Sequence, residues 1–542
     1  MTKKNPARRT PRLILSAILL LTFVVAARTW AIRKLEGQTD SASAGTPSGP
    51  NSATAVAGPY DSELTRLIDQ AIDTSDFSSA RWGVSVISLR DGRVLYARNA
   101  DKLFTPASNM KIYTTAVALD LLGPEYQWRT SVYANSQPDA SGLLKGDLTL
   151  YGRGAPDLSS QPKKDSRASL VQLAEDLYSR GVRRIGGNVI GDESYFRAEQ
   201  FGNGWQWNDL QWYFGAEPSA LSINGNQVDL QIKPANKTGE PALVKLSSAP
   251  DYVHLSNETT TVKHGEQMTI GINRGLTSNE LKVWGEFPLG AREYGAHLSV
   301  HDPALWAARL LIAALKTRGI AVDGEARARD FRVPQTARFD STRAIELANV
   351  LSRPLSEIVR ATNKESINLN AELILRTMGR ERGEVTSASE THKTHERGDD
   401  EAGVALVRQW LDRAGVKTDN LALHDGSGLS RLDLVTPDAT AHLLLAISKA
   451  PSASVFRDSL PLAGSDGTLA GRLRLYKDRI SAKTGSLVYD NSLSGFVSTA
   501  GGDILAFSLM CNDQTSHASS IRTIDEIAGI LAEYGSPKAR KP

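Results

Sequence analysis

The chain has 542 residues, 41% of them apolar and 23% charged, which excludes a mainly disordered or fibrous protein and, at ~150 residues per domain, calls for two to four domains. The single cysteine, Cys511, excludes an internal disulfide framework and any multi-cysteine metal site. The net charge of +3 resides in residues 1–34, which hold eight basic residues and no acid. The other 55 basic and 60 acidic residues leave a mildly acidic body, unlike that of a nucleic-acid-binding protein.

Lys3, Lys4, Arg8, Arg9 and Arg12 precede the uncharged run LILSAILLLTFVVAA at 13–27. A positive flank, a short apolar core and then small residues is the order of a secretory signal. Fifteen residues fall short of the ~20 that span a bilayer. Val25-Ala26-Ala27 offers a cleavage site, and an uncleaved signal-anchor is the alternative for 1–34. No cysteine follows the run, so no lipoprotein anchor is expected. Residues 35–58, rich in Ser, Ala, Gly and Pro, read as a flexible tether. The folded body is expected to begin near Tyr60, in the periplasm or on the outer face of the cytoplasmic membrane, touching membrane only through an uncleaved N-terminus.

The apolar spacing predicts a helix over 62–72, then a hairpin over 81–96 turning at Arg90-Asp91-Gly92. A long apolar helix follows Thr105-Pro106 and stops at Gly123-Pro124. Over 128–345, short β-like runs alternate with Gly, Asn and Pro turns, with helices only at 168–180 and 304–316. This reads as an inserted, mainly β region of two subdomains. Helical patterning returns at 344–361, 369–378 and 402–414, with a charged surface loop at 380–400. Strands are predicted over 479–488, 491–499 and 503–511, and a helix over 519–534. The catalytic domain is thus read as discontinuous, from 59–127 and 346–542. Lys538, Arg540 and Lys541 form a solvated end.

The strongest candidate site is Thr-Pro-Ala-Ser108-Asn-Met-Lys111. Ser108 starts a predicted helix, and i and i+3 share a helix face, so the Lys111 amine can reach the hydroxyl. A serine is a poor nucleophile until a neighbour takes its proton, and a lysine of lowered pKa can do so. None of the nine histidines accompanies a Gly-x-Ser-x-Gly elbow. Two further motifs fit this chemistry. Ser366-Ile367-Asn368 falls between two predicted helices. Lys483-Thr484-Gly485 lies on a predicted strand that continues through Ser486. They supply a second hydroxyl, an amide, a second ammonium and an edge for an extended peptide.

A second set of the same triplets occurs at Ser160/Lys163, Ser222-Ile223-Asn224 and Lys237-Thr238-Gly239. Context separates the sets. Pro162 interrupts any helix joining Ser160 to Lys163. Ser222 precedes the hairpin-turn signal Asn224-Gly225, and Lys237 follows a Pro-Ala-Asn loop.

The trio S-x-x-K, S-D-N and K-T-G is the signature of penicillin-binding proteins and class A β-lactamases, and the three motifs here match it except at Ile367. From about residue 60 to 535, the chain resembles the class C low-molecular-mass penicillin-binding proteins. These are D-alanyl-D-alanine carboxypeptidase/endopeptidases of the penicillin-binding protein 4 type. The resemblance rests on LFTPASNMKIYTTAVALDLLG, AEPSALSINGNQVDL, LSRPLSEIVRATNKESINLNAELILR, HDGSGLSRLDLVTP, LPLAGSDGTLAGRL and SAKTGSLVYDNSLSGFV. The spacing of 258 positions from Ser108 to Ser366 matches the insertion typical of this type. The resemblance implies an α/β fold: a transpeptidase-like antiparallel sheet flanked by helices and interrupted by inserted mainly-β domains.

It also implies roles. Ser108 attacks the penultimate D-alanine of a peptidoglycan stem peptide, with Lys111 as base. Ser366 and Asn368 complete the proton network. Lys483 helps position Ser366 and binds the terminal carboxylate, aided by Thr484 and Ser486, with Gly485 also in the substrate-binding set, and the N–H groups of Ser108 and Ser486 form the oxyanion hole. β-Lactams would trap Ser108, and no cofactor or metal is implied. Ile367 stands where Asp is common. Asp157, in an altered Gly-Asp-Pro-like turn, reads either as a structural residue or as a contact for diaminopimelate. The Asp425–Ser430 loop reads either as structural or as lining the cleft. The alternatives from other classes are a non-catalytic wall-binding scaffold on this fold, or a β-lactamase or esterase.

Overall fold

The computed structural model describes residues 60–159, 168–247, 251–334, 338–383, 398–515 and 520–536. The N-terminal address and tether, Ser160, Pro162 and Lys163, most of the charged stretch 380–400, and the basic end lie outside these residues. No helix among the described residues is long and apolar enough to cross a membrane.

Five antiparallel strands form a central sheet in the order Ile480–Leu487, Asp490–Ser498, Ile504–Asn512, Arg81–Ser88, Val94–Arg98. The two ends of the folded body therefore meet in one sheet, in register from Arg81↔Asn512 to Ser88↔Leu505. Successive side chains on a strand point to opposite faces. Phe507, Leu509 and Cys511 pack against helices Ser62–Asp73 and Ile521–Glu533. Ala506 and Met510 pack against Met110–Leu121 and Pro437–Ile447. Cys511 is fully buried and free. Burial pushes its thiol up to about 11, so it acts as a small core hydrophobe.

Met110–Leu121 is buried on every side from Met110 to Leu119, as expected of a helix at the centre of a helical layer. Around it stand Leu355–Lys364, Asn368–Arg382, Asp399–Arg413 and Pro437–Ile447. This mixed arrangement fits the expected transpeptidase-like class.

The inserted region has its own core, centred on residues such as Leu150, Leu173, Val189, Leu230, Val283 and Trp306. Its largest sheet runs Ala326–Arg329, Val189–Asp192, Leu148–Tyr151, Arg129–Ala134, Ile345–Leu351. The last two strands are the entry and the exit, paired antiparallel from Arg129↔Leu351 to Ile345↔Ala134. The helical pattern read at 344–361 is thus half wrong: 345–351 is a strand. Leu347 and Ala348 are buried by pairing with a strand some 215 residues away in sequence, a partner that local periodicity does not register. Helix Leu355–Lys364 starts only after Pro354, its N-cap, and the residue before a proline is steered out of helical geometry.

The sheet reaches the segment that leads into Ser108 through Asn512. Its fully buried amide accepts from Thr105 N–H at 2.8 Å and donates to Thr105 C=O at 3.2 Å. Asn512→Ala leaves both backbone groups unpaired. It is expected to cost about 2 kcal/mol in denaturant unfolding, with no compensating change in the slope.

Candidate active site

Ser108 is the middle residue of the 3-10 turn Ala107–Asn109, which runs directly into helix Met110–Leu121. Ala107 takes a left-handed φ of 49°, a conformation that costs on the order of 1–3 kcal/mol and persists only where surroundings enforce it. Three contacts enforce it. Asn109 Nδ2 donates to Lys483 C=O at 3.0 Å, and the Ser492 hydroxyl donates to Pro106 C=O at 2.7 Å. Gly485 lies against the turn so closely that a Cβ there would fall 2.2 Å from Ser492 Oγ and 2.7 Å from Pro106 O. The glycine of Lys-Thr-Gly is therefore required by packing of strand on turn.

Lys111 is fully buried below the half-buried Ser108. Its Nζ lies 2.9 Å from Ser108 Oγ, 2.6 Å from Asn368 Oδ1 and 2.7 Å from the Ser427 carbonyl oxygen. Asn368 Nδ2 donates to Phe214 C=O at 2.8 Å, which fixes the amide with its oxygen toward the lysine. Two of the three neighbours of Nζ are thus pure acceptors. A neutral amine has two protons for them and one lone pair, and the remaining direction is the Ser108 hydroxyl. Burial pushes Lys111 down to about 7, against the opposing charges of Asp425 and Glu372. Burial also raises Glu372 to about 8, with the Asp425 charge adding to it.

Ser366 follows helix Leu355–Lys364 in a left-handed conformation, φ 58°, and precedes helix Asn368–Arg382. Its Oγ accepts from Lys483 Nζ at 2.9 Å, and Lys483 also donates to Thr484 C=O at 2.9 Å. Lys483 is fully buried. Burial holds it well below the usual lysine range, and the nearby Lys111 charge adds to this. The Thr484 and Thr468 hydroxyls lie 2.8 Å apart, and Ser486 Oγ donates to Asn491 Oδ1 at 2.9 Å.

Strand Ile480–Leu487 is the outer strand of its sheet. Ala463 N–H donates to Ile480 C=O, and Ala482 N–H donates to Pro461 C=O, both at 2.9 Å. Alternate residues turn their backbone groups to the same edge. Thr484 and Ser486 therefore present theirs on the outer edge, past the point where the 461–463 pairing stops. An extended peptide can add there as a further strand.

The structure brings Ser108, Lys111, Ser366, Asn368, Lys483, Thr484, Gly485 and Ser486 to one place. Of the second set of triplets, Ser160 and Lys163 lie outside the described residues. Ser222 is buried and donates to Ser219 C=O at 2.8 Å, and Lys237 is exposed. Asn224-Gly225 is a 3-10 turn leading into Gln227–Lys233 rather than a hairpin, because buried Asn226 folds back onto Ile223 N–H and Glu217 C=O at 2.9 Å each. Asp157 accepts from Arg353 N–H at 3.0 Å and Nε at 3.2 Å, a structural clamp. The Asp425–Ser430 loop supplies the Ser427 carbonyl to Lys111. Sequence reasoning did not identify that carbonyl, Phe214 or Glu372. Backbone oxygens carry no sequence signal, and Phe214 lies 154 residues from the asparagine it bonds.

The chain matches the D-Ala-D-Ala carboxypeptidase 3 (S13) family over residues 64–534. It is 34% identical to a D-alanyl-D-alanine carboxypeptidase of Actinomadura sp. (strain R39) over 489 residues, 88% of this chain and 86% of the relative. It is 27% identical to D-alanyl-D-alanine carboxypeptidase DacB of Haemophilus influenzae, over 78% of this chain and 83% of the relative. The crystal structure of penicillin-binding protein 4 from Haemophilus influenzae has the same fold: TM-score 0.73, 24% identity, covering 86% of this chain and 99% of that one. The chain belongs to the D-Ala-D-Ala carboxypeptidase 3 (S13) family of serine carboxypeptidases.

Proposed function

We propose that Ser108 is the nucleophile of this carboxypeptidase, Lys111 its general base, and peptidoglycan stem peptides ending in D-Ala-D-Ala its substrate. The observation that carries the reading is the Lys111 amine, 2.9 Å from Ser108 Oγ with its other neighbours pure acceptors. The substrate chain adds to the outer edge at Thr484 and Ser486, with its terminal carboxylate toward Lys483 and Thr484. Ser108 Oγ attacks the penultimate D-alanine carbonyl as its proton passes to Lys111. The developing oxyanion is met by the N–H of Ser108, at the start of its helix, and that of Ser486, on the strand edge. Each such donor contributes about 3 kcal/mol of transition-state stabilisation. Collapse breaks the peptide bond. The leaving amine takes a proton delivered through Ser366, whose hydroxyl is held by Lys483. Water then attacks the acyl-enzyme and releases the shortened peptide. A β-lactam carbonyl enters the same sequence and stops at the acyl-enzyme.

The same nucleophile can open a cross-link when the leaving amine belongs to a second stem peptide. The polymer lies outside the cytoplasm, and the charged, apolar N-terminus supports export to it, with residues 1–34 cleaved or retained as an anchor.

A fluorescent penicillin is expected to label the wild-type protein and not Ser108→Ala; equal labelling of both contradicts the assignment of the nucleophile. With uncross-linked pentapeptide, D-alanine release is expected from the wild type and not from Ser108→Ala. With cross-linked muropeptides, conversion to monomers measures the endopeptidase activity directly.

Lys111 works only as the free amine, and that form grows as pH rises through a value lowered to about 7. The acylation rate is therefore expected to rise about tenfold per pH unit below 7 and to level off above it. Lys111→Arg should lose about 10²–10⁴-fold and this ascending limb with it.

A further inference from the structure

Lys111 receives one of its two acceptors from the Asp425–Ser430 turn, and this turn is bonded to the inserted region. The Asp425 carboxylate organises the turn. Oδ1 accepts from Ser427 N–H at 3.1 Å and Gly428 N–H at 2.6 Å, and Oδ2 accepts from Ser430 N–H at 2.8 Å and the Ser427 hydroxyl at 3.2 Å. The fifth donor comes from outside the catalytic domain: the Trp205 indole Nε1, 2.9 Å from Oδ2. A second bond runs alongside it, from Arg431 N–H to Gly204 C=O at 3.3 Å. The turn is otherwise pinned onto the two catalytic helices. Thr114 Oγ1 donates to Gly426 C=O at 2.7 Å, and Gly426 N–H donates to Glu372 Oε1 at 3.0 Å. A Cβ at Gly428 would sit 1.8 Å from Ala107 O, so the turn lies directly against the backbone that precedes Ser108.

We propose that Trp205 and Asp425 are positioning residues for the general base. Through them the inserted region holds the turn that presents the Ser427 carbonyl to Lys111. This rests on the reading of Lys111 as base. The titratable groups around Lys111 are Asp425 on the turn, Glu372 on helix Asn368–Arg382 and Lys483 on the edge strand. Beyond them stand Asp433 beside Asp425 and Arg376 beside Glu372. Removing the indole N–H leaves the Asp425 charge less compensated, so Lys111 binds its proton more tightly. Removing the Asp425 charge does the opposite. The two substitutions should move the pH limb in opposite directions, which a general loss of folding cannot do.

The test is stopped-flow acylation of the full chain by nitrocefin from pH 5.5 to 9.5. Trp205→Phe is expected to slow acylation about tenfold at pH 7, the worth of a hydrogen bond to a charged group, and to move the limb to higher pH. Asp425→Asn is expected to slow it further and to move the limb to lower pH. Gly202→Ala approaches the same bond independently, because a Cβ there would lie 2.3 Å from Trp205 Nε1; it should act like Trp205→Phe. Trp410→Phe removes an indole N–H bonded to Asp120 at 2.9 Å elsewhere and should leave the limb in place. Unchanged limbs and rates within twofold of wild type in both Trp205→Phe and Gly202→Ala overturn the proposal, as does a shift of the Trp205→Phe and Asp425→Asn limbs in the same direction. If Lys111→Arg keeps the wild-type limb, the base assignment fails instead, and the variants at 202 and 205 then report on another group.

Discussion

One buried nitrogen ties together three remote pieces of chain. Lys111 Nζ meets Ser108 from the turn that leads into its own helix, Asn368 from a second helix and the Ser427 carbonyl from another turn. Burying an ammonium without a paired charge is costly, and a group in that position yields its proton instead. Here the low-dielectric site and two pure acceptors give the neutral amine a full set of partners. The large helical layer around Met110–Leu121 is what keeps water from the lysine. The strand carrying Lys483 repeats the device, since burial holds this second lysine well below the usual range and the Lys111 charge adds to the effect.

Much of this was legible in the sequence because it is local. The Ser108/Lys111 spacing places two side chains on one helix face whatever the rest of the chain does. The strands at 480–487, 490–498 and 504–512 announce themselves by composition. Two identical trios of triplets could be told apart because proline and asparagine-glycine signals break the elements that the chemistry requires. What sequence did not show is non-local. Residues 345–351 carry a helical apolar pattern and are a strand, because Arg129–Ala134 supplies a ladder. The Ser427 carbonyl and the Trp205 N–H act through positions that only folding brings near.

The inserted region joins the catalytic domain by paired entry and exit strands, so it can be accommodated without rearranging the central sheet. Yet it is more than an appendage. Phe214 fixes the Asn368 amide, and Trp205 bonds the turn beside Lys111. Residues 205 and 214, both within the long separation between the first and second motifs, thus bond to groups that meet Lys111 or to the turn that carries one of them.

The protonation state of Lys111 is the point on which the account stands. It can be read without turnover, by following the ε-carbon shift of Lys111 by NMR in protein carrying ¹³C-labelled lysine, with Lys111→Arg identifying the signal. The account requires a midpoint near 7, with the neutral amine dominant above it. A signal that keeps the shift of a charged lysine up to pH 9 would contradict it.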